Sequence, residues 1–155
     1  MRNMTNSEYV TYLREQQACA AGIAFAEQHG GDAAAIWDAL ERLDWLLWQA
    51  GRCPEVTQAQ LVHCAADCAE TVAHLNTDPR VMAAINAARA WADNPTEENR
   101  QAAARAASEA VSEEAAARAA AWVAWAAAAE AGADCNRKNC AKIRARISNP
   151  FRQGK

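Results

Sequence analysis

Apolar residues along this chain recur every three or four positions, the period of a helix buried on one face, and no segment alternates convincingly enough for a strand. Punctuation by Gly, Pro and capping residues divides the pattern into six candidate helices. The first, 7–30, starts at the capping Ser7, carries Val10, Leu13, Gln17, Ala20 and Ala24 on one stripe, and ends at Gly30-Gly31. Its polar EQQ stretch before Ala18 allows a break into two shorter helices. The second, 32–50, is capped by Asp32 and stopped by Gly51. Its stripe is Ile36, Leu40, Leu43 and Leu47, with Trp37, Asp44 and Trp48 on one flank and Trp45 nearly opposite. The third, 57–75, opens on a Thr57/Gln60 capping box and presents Leu61, Cys64, Ala65, Cys68, Val72 and Leu75. The fourth, 79–93, has Asp78 as N-cap and Pro79 at N1, with Val81, Ile85, Ala88 and Ala92 on its stripe and Arg89 and Trp91 to the sides.

Alanine, about a quarter of all residues, is concentrated in the fifth candidate helix, 96–131. It is the best helix former and the smallest side chain that still packs, so a helix faced with it lets neighbouring backbones approach closely. Thr96 caps the segment, and Glu97 and Glu98 suit its N-terminal dipole. Unbroken, it would be a rod of about 52 Å; Ser112 offers a start for a second helix, so a break there is the alternative. The last helix, 134–148, has Cys140, Ile143 and Ile147 in phase and stops at Asn149-Pro150. The expected fold is all-α, a single-domain bundle of five to seven helices with a long Ala-rich helix and short loops.

Charge changes the picture at the C-terminus. The chain carries a net charge of -3, but residues 1–133 sum to -9 and residues 134–155 to +6. The basic end is expected to lie on the acidic body as a solvated helix; contact with phosphate or an acidic partner is the functional alternative. No charge-free apolar run is long enough to span a membrane, and the start lacks the apolar core of an export signal. A cytoplasmic location with reduced cysteines is therefore expected.

The candidate chemistry is sparse. His63, Cys64, Cys68 and His74 share one helix, and Cys64 and Cys68, four apart, could face one ion. Cys135 and Cys140 would complete a zinc site if the last helix packs on the third, since zinc sites join two such pairs from different elements. Small core residues explain the same cysteines without metal, so no cofactor is expected. No nucleophile elbow, phosphate-binding Gly loop or HExxH metal motif is present, and no enzyme activity is expected.

Binding residues are easier to nominate. Asp44, set between Trp37 and Trp48, needs a donor if half-buried, and Arg89 on the flank of the fourth helix is the expected partner. Asp44, Trp45, Trp48 and Arg89 would then either join two helices or edge a partner-binding patch, Trp and Arg being favoured anchors. Trp45 is expected to be covered by a further helix; an exposed indole would mark an interface. Glu109 and Glu113, with Glu97, Glu98 and Glu114, make the long helix acidic on one side. Arg105 and Arg118 supply counter-charges, and a basic toxin or a nucleic-acid-binding protein would be the functional match for that acidic face.

Six segments in order carry a resemblance: YLREQQACAAGIAF, ALERLDWLLWQAGR, LVHCAADCAETVAHL, DPRVMAAINAARAW, the alanine tract and CAKIRARISNPF. Together they resemble a family of small helical phage and prophage proteins, a pattern shared by proteins labelled as immunity proteins of bacterial toxin systems. The resemblance implies an all-helical fold and brings no catalytic residue with it. This chain departs from the pattern in its alanine tract, where Trp122 and Trp125 stand in place of repeated Tyr.

The expected function is therefore a phage-linked, immunity-like or anti-defence inhibitor that occludes a host or toxin protein, with nucleic acid and membrane not expected as partners. A small-ligand or nucleotide binder, its pocket between alanine-lined helices with Arg89 or the basic end on the anion, is the alternative. A homo-oligomeric module joined through the alanine face is the third.

Overall fold

A computed structural model of the chain describes residues 3–74, 78–110 and 131–152. These residues form eight helices and no strand, so the all-α class holds and the helix count exceeds the expected five to seven. The helices are α1 Asn6–Glu15, α2 Ala20–His29, α3 Ala33–Ala39, α4 Leu43–Ala50, α5 Gln58–Ala73, α6 Pro79–Asp93, α7 Glu97–Ala110 and α8 Ala131–Arg146. The region around Ser112, where a break was in question, lies outside the described residues, as do Glu113, Glu114, Arg118, Trp122 and Trp125.

The polar stretch at Glu15–Gln17 does break the first candidate helix. Gln17 takes a left-handed backbone with φ of 57°, a conformation that costs a side-chain-bearing residue energy and ends a helix. The reversal folds α2 back onto α1, and Asn6 locks the pair by donating from Nδ2 to the carbonyls of Ala26 at 2.8 Å and Gly31 at 2.9 Å. Those are carbonyls at and beyond the end of α2, where intrahelical donors run out.

The second candidate helix also divides, against expectation. Leu40 and Arg42 are extended, so α3 ends and α4 begins within three residues that contain no Gly or Pro. Residues 36–48 hold apolar side chains on more sides than one stripe can bury. The break rotates α4 so that Leu46, Gln49 and Ala50 face the core while Leu40 remains buried; Leu43 and Leu47, expected on the buried stripe, are only half-buried. Arg144 of α8 stabilises the break, its Nη2 donating to the carbonyl of Trp37 at 2.7 Å and to that of Leu40 at 2.5 Å.

One large core joins α1–α4 with Cys64 and Cys68 of α5, Cys140 and Ile143 of α8, and Ile147 and Phe151 beyond it. Phe151 is fully buried, with its ring 5.7 Å from Tyr9 and 6.4 Å from Trp37. The chain thus leaves α8 after Arg146, ahead of Asn149-Pro150, but does not leave the core. A second, small cluster of Ala66, Ala73 and Ile85 joins α5 to α6, and α7 packs on α6. Ala65, expected on the buried stripe of α5, is exposed; its neighbour Ala66 takes the place against α6.

Candidate functional site

The α1–α4 reversals leave space between them. A cavity of about 380 Å³ is floored by the buried side chains of Tyr9, Leu13, Ala26, Ile36, Leu40 and Gln49. Phe25 of α2 with Trp45 and Trp48 of α4 form half-buried walls, and the exposed Gln17, Cys19 and Asp44 mark the mouth. Gly22 contributes a flat stretch of α2: a methyl group there would touch Cys19 Sγ at 3.5 Å and Trp45 at 3.9 Å. The aromatic walls are tilted against each other, Phe25 and Trp45 meeting at 59° with 5.8 Å between ring centres.

One polar device lies on the floor. Gln49 is 2% exposed, its Nε2 donates to the Tyr9 hydroxyl, and its Oε1 is buried without a hydrogen-bond partner. A buried acceptor left unmade costs about 1–3 kcal/mol. Tyr9 stays protonated around Gln49, because burial, then the neighbouring Tyr12 and Cys53, push its phenol well above the usual range. Below Gln49, the Cys53 thiol donates to the Gln49 carbonyl at 3.3 Å and burial pushes its pKa up to about 11.

The mouth is arranged by local pairs. Asp44 is bonded to Arg42, at 2.9 Å from Nε and 2.6 Å from Nη2, and this contact holds its carboxyl below the usual range. The Arg42 guanidinium also lies over Trp45 at 4.6 Å, and Arg52 over Trp48 at 3.6 Å. Both are cation–π contacts of the exposed, weaker kind. The expected Asp44–Arg89 pair is therefore not formed. Trp45 is covered on one side by Phe25 of α2, as expected of an indole in a bundle, and half-exposed on the other.

Arg89 instead serves a separate cluster. It reaches from α6 to Asp67 at 2.9 Å and Glu70 at 2.6 Å on α5, while Arg146 of α8 holds the other Asp67 oxygen at 2.5 Å. Lys142 adds a bond to the Thr71 hydroxyl at 2.6 Å. The reason for the changed partner is topological: α6 packs on α5, whose Asp67 and Glu70 face it, whereas Asp44 was satisfied two residues away. The basic end of the chain is spent in the same way, with Arg152 on Asp38 at 2.5 Å and Lys138 on Asp134 at 2.6 Å. Among the described residues, the cations of this segment and Arg89 are engaged by protein groups, several of them on the acidic body as expected, and none of them lines the cavity.

Among the described residues the cysteines gather into no metal-binding group. Cys64, Cys68 and Cys140 are buried core thiols, and burial raises their pKa values, that of Cys68 to about 11. Cys135 is half-buried and accepts from Asn139 Nδ2 at 3.5 Å. Among the described residues no three His, Cys, Asp or Glu side chains gather around a point where an ion would sit. Glu109 is exposed on α7, where the exposed Glu97 carboxylate pairs with Arg100 three residues on, at 2.6 Å. No helix among the described residues is long and apolar enough to cross a membrane.

Of the residues lining the cavity, sequence reasoning singled out Asp44, Trp45 and Trp48, as the edge of a partner-binding patch, and did not nominate Gln49, Tyr9 or Cys19 as site residues. Gln49 sits between Trp48 and Ala50 as an ordinary polar residue, and only the α3/α4 break turns it inward. No family model matches the chain, and it has no match among curated proteins or solved structures.

Proposed function

We propose that this protein works by binding rather than by catalysis, and that it takes a small, largely apolar molecule into the cavity between α1 and α4. The single observation that carries the reading is the cavity itself, walled by the half-buried rings of Phe25, Trp45 and Trp48 over a floor of buried side chains. A volume of about 380 Å³ falls in the range of ligand sites, about 300–1,000 Å³, which pair apolar walls with a few placed polar groups. The thiols in contact with the core are held protonated by burial and are poor nucleophiles.

A thermal-shift screen with small aromatic compounds tests it, since a ligand of the native state raises Tm with concentration. Gly22→Leu is the blocking variant: it projects a side chain between Cys19 and Trp45 and removes a helix-interior glycine, so the fold is retained while the space is filled. The reading holds if hits shift wild type and not G22L. It fails if no compound shifts wild type, or if hits shift both equally.

A second reading, occlusion of a protein partner, is favoured by one observation. Trp45 and Trp48 are half-exposed beneath Arg42 and Arg52 and beside Asp44, a composition typical of interface anchors. This is the reading to which the immunity-like resemblance also leans, with a host or toxin protein as partner. A protein retained by wild type and G22L but lost with Trp48→Ala would belong to it, because the outer face of α4 is intact in G22L.

A further inference from the structure

We infer that residues 147–152, the segment beyond α8, form a latch behind the cavity floor, so that seating of the latch and occupancy of the cavity favour each other. This rests on the small-ligand reading and adds to it a means of control.

The latch is built from few parts. Ile147 and Phe151 are 3% and 0% exposed, and α8 has ended before either. Asn149 shapes the turn between them, its Oδ1 accepting from the Phe151 backbone N–H at 3.0 Å. Among the described residues, the side-chain polar contacts that this segment makes outside itself fall on α3. Asn149 Nδ2 donates to the Ala34 carbonyl at 2.9 Å and to Asp38 Oδ1 at 3.0 Å, and Arg152 pairs with Asp38 at 2.5 Å. A segment held by two apolar side chains and a few polar bonds at the surface opens locally, at less than the cost of unfolding the whole domain.

What the latch rests against is the cavity. Ile36 of α3 and Leu40 at its C-cap are floor residues, and α3 is the helix that receives Asn149 and Arg152. Tyr9, also on the floor, meets the Phe151 ring edge-on at 5.7 Å, and Trp37 beside Ile36 meets it at 6.4 Å. A single ring, Tyr9, thus borders both the cavity and the latch. With Phe151 unseated, Tyr9 and α3 lose their backing, and the neighbours of an emptied core position relax only partly into the space. A ligand then packs against a floor that no longer fits it, and small gaps forfeit much of a van der Waals contact. Such coupling is reciprocal: a ligand that binds the seated form more tightly must in turn hold the latch in its seat.

The test uses the full-length protein with indole as the probe and reads the coupling from both ends. Titration calorimetry compares Kd for wild type and Phe151→Ala, in which the seat is vacant. F151A is expected to bind about tenfold more weakly, the equivalent of about 1.4 kcal/mol. Hydrogen exchange of wild type, read at the backbone amides of Ile147, Phe151 and Arg152, should slow by the same factor, about tenfold, when indole saturates the protein. Amides of α7, a helix with no buried residue and no part in the cavity lining, should exchange alike with and without indole. Arg152→Ala removes an exposed ion pair but not the ring, and should leave Kd within about twofold of wild type. Phe151→Leu, which keeps apolar bulk and loses the ring contacts, is the second variant if F151A does not fold by circular dichroism; its Kd should also be weaker than that of wild type.

Equal Kd values for wild type and the Phe151 variant, or segment amides that exchange alike with and without indole, overturn the latch while leaving the cavity as a ligand site. Equal slowing in α7 overturns it too, because the ligand would then be stabilising the fold as a whole. A loss in R152A as large as that in F151A overturns Phe151 as the seat. Absence of indole binding overturns the latch, and the reading beneath it falls as well if the thermal-shift screen finds no hit.

Discussion

Phe151→Ala should cost far more than a residue in an irregular segment beyond the last helix ordinarily does. The side chain has no exposed surface and meets Tyr9 edge-on and Trp37 at an angle. An aromatic ring of this kind covers about 150–250 Å², and at about 25 cal/mol/Å² its burial contributes at most roughly 4–6 kcal/mol. Truncations of buried Phe to Ala typically cost about 3–5 kcal/mol, and that is the expected loss. Against a total stability of about 5–15 kcal/mol it is a large share. With a denaturant slope of about 2 kcal/mol/M, the urea midpoint should fall by roughly 2 M, read by far-UV circular dichroism. Arg152→Ala is the control: its ion pair with Asp38 is 71% exposed on the Arg side, and it should cost less than about 1 kcal/mol. A midpoint within about 0.5 M of wild type for F151A would refute the reasoning, because the C-terminal segment would then not be docked. The effect should extend to the site, since Phe151 backs Tyr9 and Tyr9 fixes the Gln49 amide.

Three further outcomes follow from the same contacts. Burial pushes the Asp67 carboxyl up, but the hydrogen bonds and charges of Arg146 and Arg89 outweigh it and hold its pKa below the usual value. Its contribution is therefore complete above the unfolded pKa of about 4 and is lost as pH falls through the folded one; Asp67→Asn should lower stability at pH 7 by about 1–3 kcal/mol and flatten its loss in acid, measured by urea melts across pH. Arg144→Met, which strips the α3 C-terminal carbonyls of Trp37 and Leu40 of their donor, should cost about 1–3 kcal/mol by the same assay, and a neutral result would mean water replaces it without penalty. Iodoacetamide on the folded protein should label the exposed Cys19 first, ahead of Cys53 and Cys68 whose thiols sit at about 11, and indole should slow that labelling; peptide mass mapping reads the order.

How far sequence reasoning reached can be traced through particular residues. Asp32, Thr57 with Gln60, and Asp78 with Pro79 cap as expected, but the first helix is capped by Thr5 in a box with Glu8 and not by Ser7, and the last begins at Ala131, ahead of Asp134. Breaks were legible only where polarity announced them: Glu15–Gln17 did, but the Leu40–Arg42 break did not. It is set by Arg144, more than a hundred positions away, and by the need to bury Leu46 as well as Leu40. That single break misplaced the site, because a continuous helix puts Asp44 and Trp48 at the flank of a core stripe and leaves Gln49 unremarked. Phe151 was missed because Asn149-Pro150 reads as a stop and the helix in fact ends sooner, at Arg146, and nothing local says that the chain then turns inward: Asn149 Nδ2 donates to the carbonyl of Ala34 at 2.9 Å. Arg89 was rightly picked as a buried-edge cation needing an acid, but the choice among acids depends on which helices touch.

The most direct measurement is an amide-resolved NMR titration of the full-length protein with indole, following the Gln49 side-chain NH₂ signals alongside the backbone. If the cavity is the site, those signals and the backbone amides of Gly22 and Trp45 shift together and saturate at one equivalent, while the Asp67–Arg89 cluster stays still. Shifts scattered over exposed residues, or none at Gln49 up to the solubility of indole, would contradict the account.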